Sequence, residues 1–169
     1  MQVVQKNEAV ESQKRQFCTF RIFGRLYGVD ILDVKEINRE IDITPIFHAP
    51  KEVKGYVNIR GKIYLLLDLR LILGFENKAV DDANRIVLFK PEAGEAFGVL
   101  ADSIDDIVTI EEKQIENRRK KDQDVSDGTE RRSVDIGEGV CRLENELLVI
   151  LNARNLLKVI GSPKRHSKQ

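Results

Sequence analysis

The chain repeats itself. Residues 139–157 can be laid over residues 55–73 without a gap, at a constant spacing of 84. Gly55 then falls on Gly139, Ile59 on Leu143, Asp68 on Asn152, Arg70 on Arg154 and Leu73 on Leu157, while the apolar run 63–67 falls on 147–151. A second pair of segments repeats at a different spacing: Tyr27-Gly28-Val29 through Ile37 lies over Phe97-Gly98-Val99 through Ile107, 70 residues apart, with Val34 on Ile104 and Glu36 on Asp106. The spacings differ by 14, so the second half carries extra residues between its matching segments, and the polar run 116–132 is where they fall. A repeat of this length is a structural unit and not a solenoid period; it predicts two small barrels or sheets packed on each other.

Each copy of the longer unit reads as strand, tight turn, buried strand and one helical turn. Tyr56, Val57, Ile59 and the run 63–67 are β-branched, aromatic or aliphatic, as a pleated and largely buried surface requires. Gly61 can take the positive φ of a two-residue hairpin corner. Asp68 is placed to cap a helical turn at 69–73, and Gly74 to stop it. In the second copy the corner is Glu144-Asn145, and Asn also suits a turn that wants positive φ, so the hairpin is expected to survive while its charge reverses.

Met1 through Arg15 has too few large apolar residues to offset its ordering entropy and is expected to be a disordered tail. From Gln16 the pattern alternates, with Cys18, Phe20 and Ile22 on one face and Phe17 and Phe23 on the other, and Gly24-Arg25 turns it into a hairpin. Ile31 and Val34 suit one helical turn, residues 37–43 return to an extended pattern, and Pro45 and Pro50 confine 46–49 to a loop. Residues 75–84 form the connector between halves. In the second half, 85–90 and 96–100 bracket a hairpin tip at 91–94, 104–110 is extended, and 111–114 forms a short helix. Residues 116–132, with Val125 the one aliphatic residue, are expected to be an exposed, mobile loop. The domain plan is a tail at 1–15, a domain at 16–160 and a basic tail at 161–169. Within the domain the first barrel is mainly 16–74 and the second mainly 85–160, with exchange of strands between them left open.

Several function classes fall away. Cys18 and Cys141 sit in strand patterns without ligand spacing, which points to reduced, structural thiols. No run approaches the roughly 18 apolar residues of a membrane span, and the first 16 residues do not form a secretion signal. Net charge is zero, from 28 basic and 28 acidic residues. With 6% aromatic residues and no Trp, this argues against a nucleic-acid binder, which would present a basic face or an aromatic platform; a small β-barrel nucleic-acid-binding protein is nonetheless the alternative reading. No phosphate loop, nucleophile elbow or zinc motif is present in the sequence. His48 reads as a rim residue of its loop, and His166 as part of a solvated basic terminus. Asp102, Asp105 and Asp106 read as a solvated turn, since no second acidic cluster accompanies them.

The motifs Y-G-V-D-I-L-D-V-K-E-I at 27–37, I-T-P-I-F-H-A-P-K-E-V-K-G at 43–55, N-I-R-G at 58–61 and L-D-L-R-L-I-L-G at 67–74 resemble the CheW coupling proteins of bacterial chemotaxis. F-G-V-L-A-D-S-I-D-D-I at 97–107 extends the likeness, which runs from Gln16 to Val159. The resemblance implies a mainly β fold of two tandem SH3-like five-stranded barrels side by side, with short helices including one at the C-terminus. It implies no catalysis and no cofactor or metal. It implies a cytoplasmic adaptor joining the tip of methyl-accepting chemoreceptors to the regulatory domain of a CheA-type histidine kinase, held at the inner face of the membrane through receptor arrays without inserting into it. Glu36 and Arg60 match a polar pair of the family's receptor-facing region. Asn58 and Gly61 belong to the same motif, and Val34 and Lys54 lie in corresponding neighbourhoods.

Overall fold

The computed structural model describes residues 13–117 and 136–160. Twelve strands are found among the described residues: β1 (Lys14–Ile22), β2 (Arg25–Asp30), β3 (Val34–Asn38), β4 (Ile43–Thr44), β5 (Val53–Ile59), β6 (Lys62–Asp68), β7 (Arg85–Phe89), β8 (Phe97–Ala101), β9 (Ser103–Glu111), β10 (Ile115–Asn117), β11 (Gly137–Arg142) and β12 (Leu147–Leu151). Helix α1 (Leu69–Ile72) follows β6, and α2 (Ala153–Ile160) follows β12. The strands form two six-stranded sheets, each with five longer strands and one short edge strand. Sheet I runs β10-β11-β12-β2-β1-β9 and sheet II runs β4-β5-β6-β8-β7-β3.

The two sheets are built alike from the repeats. The hairpins β5–β6 and β11–β12 occupy matching places, and each lies parallel to a strand from the 70-residue repeat: Leu65 pairs with Phe97 and Leu148 with Leu26. The order of strands shows that each sheet takes one hairpin from the other half of the chain. Strands β1 and β2 pair within sheet I beside β9–β12, and β7 and β8 pair within sheet II beside β3–β6. The two repeat spacings differ because the connection from β10 at Asn117 to β11 at Gly137 is longer than the matching connection from β4 at Thr44 to β5 at Val53.

Gly55 and Gly139 have the same structural task. Each sits beside a bulge where a short edge strand crosses: a Cβ would lie 2.3 Å from the Thr44 carbonyl oxygen of β4 at Gly55, and 2.7 Å from the Glu116 carbonyl oxygen of β10 at Gly139. Only glycine admits so close a backbone. Asp68 and Asn152 likewise act alike, as the Asp68 carboxylate accepts the Leu71 N–H (3.2 Å) and the Asn152 side chain accepts the Arg154 N–H (3.0 Å) at the start of α2.

Among the described residues, apolar side chains form three buried clusters. Val57, Ile59, Tyr64, Leu66, Ile86, Leu88 and Leu100 fill sheet II alone. Phe17, Leu26, Ile110, Cys141, Leu148 and Ile150 fill sheet I alone. The largest cluster is shared. Cys18, Phe20, Ile22, Tyr27 and Val29 of sheet I meet Leu67, Val87, Phe89, Phe97 and Val99 of sheet II, with Leu156 of α2 among them. The alternation in β1 explains the division, because Phe17 faces the interior of its own sheet while Cys18, Phe20 and Ile22 face the partner sheet. Both cysteines are buried free thiols, and burial pushes the Cys18 thiol up to about 11.

Several expectations are corrected. Strand β1 begins at Lys14, because Lys14 and Arg15 pair with Glu111 and Ile110 of β9; Arg15 is therefore not part of a tail. The first corner is Phe23-Gly24 (φ 52° and 72°), with Arg25 already in β2 opposite Ile22. The 3-10 turn Ile31–Asp33 ends earlier than the expected helical segment, and the extended pattern at 37–43 breaks after Asn38, whose side chain accepts the Glu40 N–H (2.8 Å) and turns the chain. Asn145 takes no positive φ: the ladder stops at Arg142 and Leu147, and Leu143 N–H donates to the Glu146 carbonyl (2.8 Å). Glu116 and Asn117 belong to β10, and the rest of 116–132 lies outside the described residues, as do 1–12 and 161–169.

Candidate functional site

The corner that joins β5 to β6 is a two-residue turn, with Ile59 opposite Lys62 and with φ of 50° at Arg60 and 84° at Gly61. Positive φ at both residues makes it a type I′ turn, whose twist matches that of the flanking strands, and Gly61 takes such a φ freely. Asn58 holds the turn from below, its side-chain oxygen accepting the Gly61 N–H at 2.8 Å. Arg60 is thereby held at the tip, and its guanidinium is ion-paired with the Glu36 carboxylate of β3. These residues stand at opposite sides of sheet II, so the pair spans the seam between the β3 edge and the β5–β6 hairpin. Arg60 is 72% exposed and Glu36 23%, so water reaches the pair from above.

An open groove of about 600 Å³ runs beneath this bridge. Glu36, Asn58 and Arg60 line it, together with Arg39, Glu40 and Asp42 from the connection between β3 and β4. Beside it Lys35 donates to the Tyr64 hydroxyl (2.7 Å), and the Lys35 and Lys62 ammonium groups lie 5.4 and 5.3 Å from that ring's centroid. The groove is thus an open, mixed-charge trough with apolar Ile37, Val57 and Ile59 in its wall. Such a surface can hold a long, polar partner by complementary charge. Among the described residues no three His, Cys, Asp or Glu side chains converge as a metal would require.

Of the six residues expected at the site, four come together: Glu36, Asn58, Arg60 and Gly61. Val34 starts the same strand but is half-buried against the shared core, opposite Phe89. Lys54 lies at the far end of β5, where its ammonium meets the buried Asp68 carboxylate (3.3 Å) and the Asn77 side chain (3.2 Å). Lys54 is a tether between strand ends and not part of the groove. The extended pattern expected over 37–43 leaves Arg39, Glu40 and Asp42 out of the site, and the Asx turn begun by Asn38 is the signal in the sequence that brings them to it.

The equivalent seam of sheet I is closed differently. Arg21 of β1 reaches Asp105 of β9 (2.8 Å) and Glu146 beside the β11–β12 turn (2.6 Å), so one guanidinium bridges two carboxylates. Hydrogen bonding from Arg21 holds the Glu146 carboxyl below its usual range. Asp102 departs from the expected solvated turn. It is the single residue between β8 of sheet II and β9 of sheet I, only 14% exposed, and its carboxylate takes the Arg70 guanidinium and the Phe23 N–H (2.9 Å).

The family described as a CheW-like domain matches residues 16–161, which is most of the chain. The chain belongs to the CheW-like family. It is 30% identical over 107 residues to a chemotaxis protein CheW from Klebsiella aerogenes, covering 63% of this chain and 64% of that one. A chemotaxis protein CheW from Bacillus subtilis is 28% identical over 141 residues, covering 82% of this chain and 83% of the relative. The matched stretch spans just under two thirds of the first curated relatives, at 64% and 65% of their lengths. A crystal structure of the scaffolding protein TtCheW from Thermoanaerobacter tengcongensis superposes with a TM-score of 0.68 at 25% identity, covering 82% of this chain and 89% of that chain. The paired SH3-like sheets are therefore the CheW-like architecture, and the Glu36–Arg60 bridge lies on one of them.

Proposed function

We propose that this CheW-like protein is a non-catalytic chemotaxis adaptor in the cytoplasm, which joins the tip of a chemoreceptor to the regulatory domain of a CheA-type histidine kinase within a membrane-associated array. Glu36, Asn58, Arg60 and Gly61 form the receptor-facing part of this function, with Val34 at the start of the same strand. The observation that carries the reading is the convergence of Glu36 and Arg60, 24 residues apart, on one exposed groove. An exposed pair of this kind adds only about 0 to 1 kcal/mol to folding. Covered by a receptor helix, the same groups lose water, and removing one charge leaves its partner unpaired at a cost of about 2 to 5 kcal/mol of binding.

The shared core supports the second half of the reading. An adaptor acts by presenting two surfaces at a fixed angle, and a buried cluster drawn from both sheets supplies that rigidity without an active site. Arg60→Ala and Glu36→Ala should leave the melting temperature nearly unchanged, weaken binding of a receptor tip fragment, and spare binding of the kinase regulatory domain. Unchanged receptor affinity with a large loss of stability would make the pair structural and remove the site from the account.

A further inference from the structure

The strand that carries Val34 and Glu36 is delivered to sheet II by the 3-10 turn Ile31–Asp33, which leaves sheet I at Asp30. The strand enters the sheet through an irregularity, since its register against β7 shifts between Val34, opposite Phe89, and Glu36, opposite Leu88. The turn is gripped by side chains of sheet I. Arg15 donates to Asp30 Oδ2 from Nε (3.2 Å) and from its terminal nitrogen (2.9 Å), and its other terminal nitrogen donates to Glu138 Oε1 of β11 (2.5 Å). The second oxygen of Asp30 accepts the Leu32 N–H (2.9 Å), and Val34 N–H closes the turn on the Ile31 carbonyl. The Asp33 carbonyl accepts the Lys90 N–H (2.8 Å), and its carboxylate meets Arg154 of α2 at 3.4 Å.

We propose that Arg15 is a positioning residue for the groove, acting through Asp30 and the 3-10 turn on the strand that presents Glu36. Arg15 is 24% exposed at the wall of a polar cleft of about 560 Å³, where the carboxylates of Asp30, Asp33 and Glu138 face the guanidiniums of Arg15 and Arg154. Hydrogen bonding to Glu138 and then to Asp30 holds the Arg15 guanidinium still more firmly in its charged form. Without Arg15, two carboxylates that one cation bridges lose it together. Their repulsion and their demand for water draw Asp30 outward, away from the Leu32 N–H. Arg154 does not replace it, being 58% exposed and reaching Asp33, not Asp30.

This inference rests on the receptor reading of the groove, and its test separates the two. Hydrogen exchange along the backbone and binding of a receptor tip fragment and of a kinase regulatory domain are measured for Arg15→Ala, Asp30→Asn and Glu138→Gln. Arg15→Ala should speed exchange at Leu32 and Val34 while the amides of β6 and β8 keep their protection. Receptor affinity should fall roughly 2- to 30-fold, the range for a change that acts at a distance from the ligand, with kinase affinity unchanged. Glu138→Gln, which leaves Arg15 on Asp30, should have the smallest effect of the three. Unaltered exchange at Leu32 and Val34 in Arg15→Ala, or an equal rise throughout both sheets, would overturn the proposal. Faster exchange confined to the turn with unaltered receptor affinity would support the positioning and overturn the receptor assignment.

Discussion

Arg70 and Arg154 occupy the same place in the repeat, one in α1 and one in α2, and each is paired with an aspartate where the chain passes between sheets. Their surroundings differ, and the difference predicts unequal stabilities. Arg70 and Asp102 are 12% and 14% exposed; Arg70 also donates to the Glu76 carbonyl (2.9 Å) and lies over the Phe23 ring at 5.6 Å, and Phe23 in turn stacks on Phe75 at 5.1 Å. Removing one partner of a fully buried ion pair costs about 3 to 5 kcal/mol, and partial access of water to this pair lowers the expected loss to about 2 to 4. Arg154 is 58% exposed and 3.4 Å from Asp33, a geometry worth about 0 to 1 kcal/mol. For a chain of this size each kcal/mol moves the melting temperature by about 2 to 4 °C, so Arg70→Ala should lower it by roughly 4 to 16 °C and Arg154→Ala by no more than about 4 °C. Urea unfolding and calorimetry on both variants and on Asp102→Asn read this directly. Equal losses for the two arginines would refute the claim that burial, and not position in the repeat, sets the strength of these clamps.

Gly139→Ala should cost about 1 to 3 kcal/mol in urea unfolding, since its Cβ would meet the backbone of β10, whereas Gly61→Ala, with open space around it but φ of 84°, should cost about 1. The Cys18 thiol titrates near 9.0 when unfolded and near 11 when folded, so the unfolded chain releases its proton first as pH rises; the stabilisation is complete below pH 9.0 and is lost towards 11. Cys18→Val should therefore flatten the fall in stability across that window, and an unchanged slope in denaturant melts would contradict it. Arg21→Ala should leave Asp105 and Glu146 facing each other across the seam of sheet I and raise the Glu146 pKa, visible in a carboxylate NMR titration.

The sequence makes the building unit legible because the same local rules act twice. Asp68 and Asn152 cap helices, Gly55 and Gly139 admit an edge strand, and the apolar runs after each corner turn inward beyond their exposed first residues, Ile63 and Leu147. Pairing between halves is less legible: an apolar alternation says that a run is a strand, but its neighbours are chosen when the sheet closes. The exchange of β1–β2 and β7–β8 leaves no mark on the spacing of the repeats and shows only in the order of strands. Charged residues are the least legible, because their roles depend on distant partners. Arg15 looked like tail because Asp30 and Glu138 lie 15 and 123 residues away, and Asp102 looked solvated because Arg70 reaches it from 32 residues upstream. Glu36 and Arg60 stood out through resemblance to a family, while Arg39 and Asp42 came to the groove through a turn the pattern hid.

An adaptor of the proposed kind must hold a receptor tip and a kinase regulatory domain at the same time. Sedimentation of the protein mixed with a receptor tip fragment and a CheA-type regulatory domain measures this directly, because the mass of the heaviest species reports simultaneous occupancy. A ternary species is expected, lost in Arg60→Ala while the complex with the kinase domain persists. Mutually exclusive binary complexes, or a ternary species undiminished by Arg60→Ala, would contradict it.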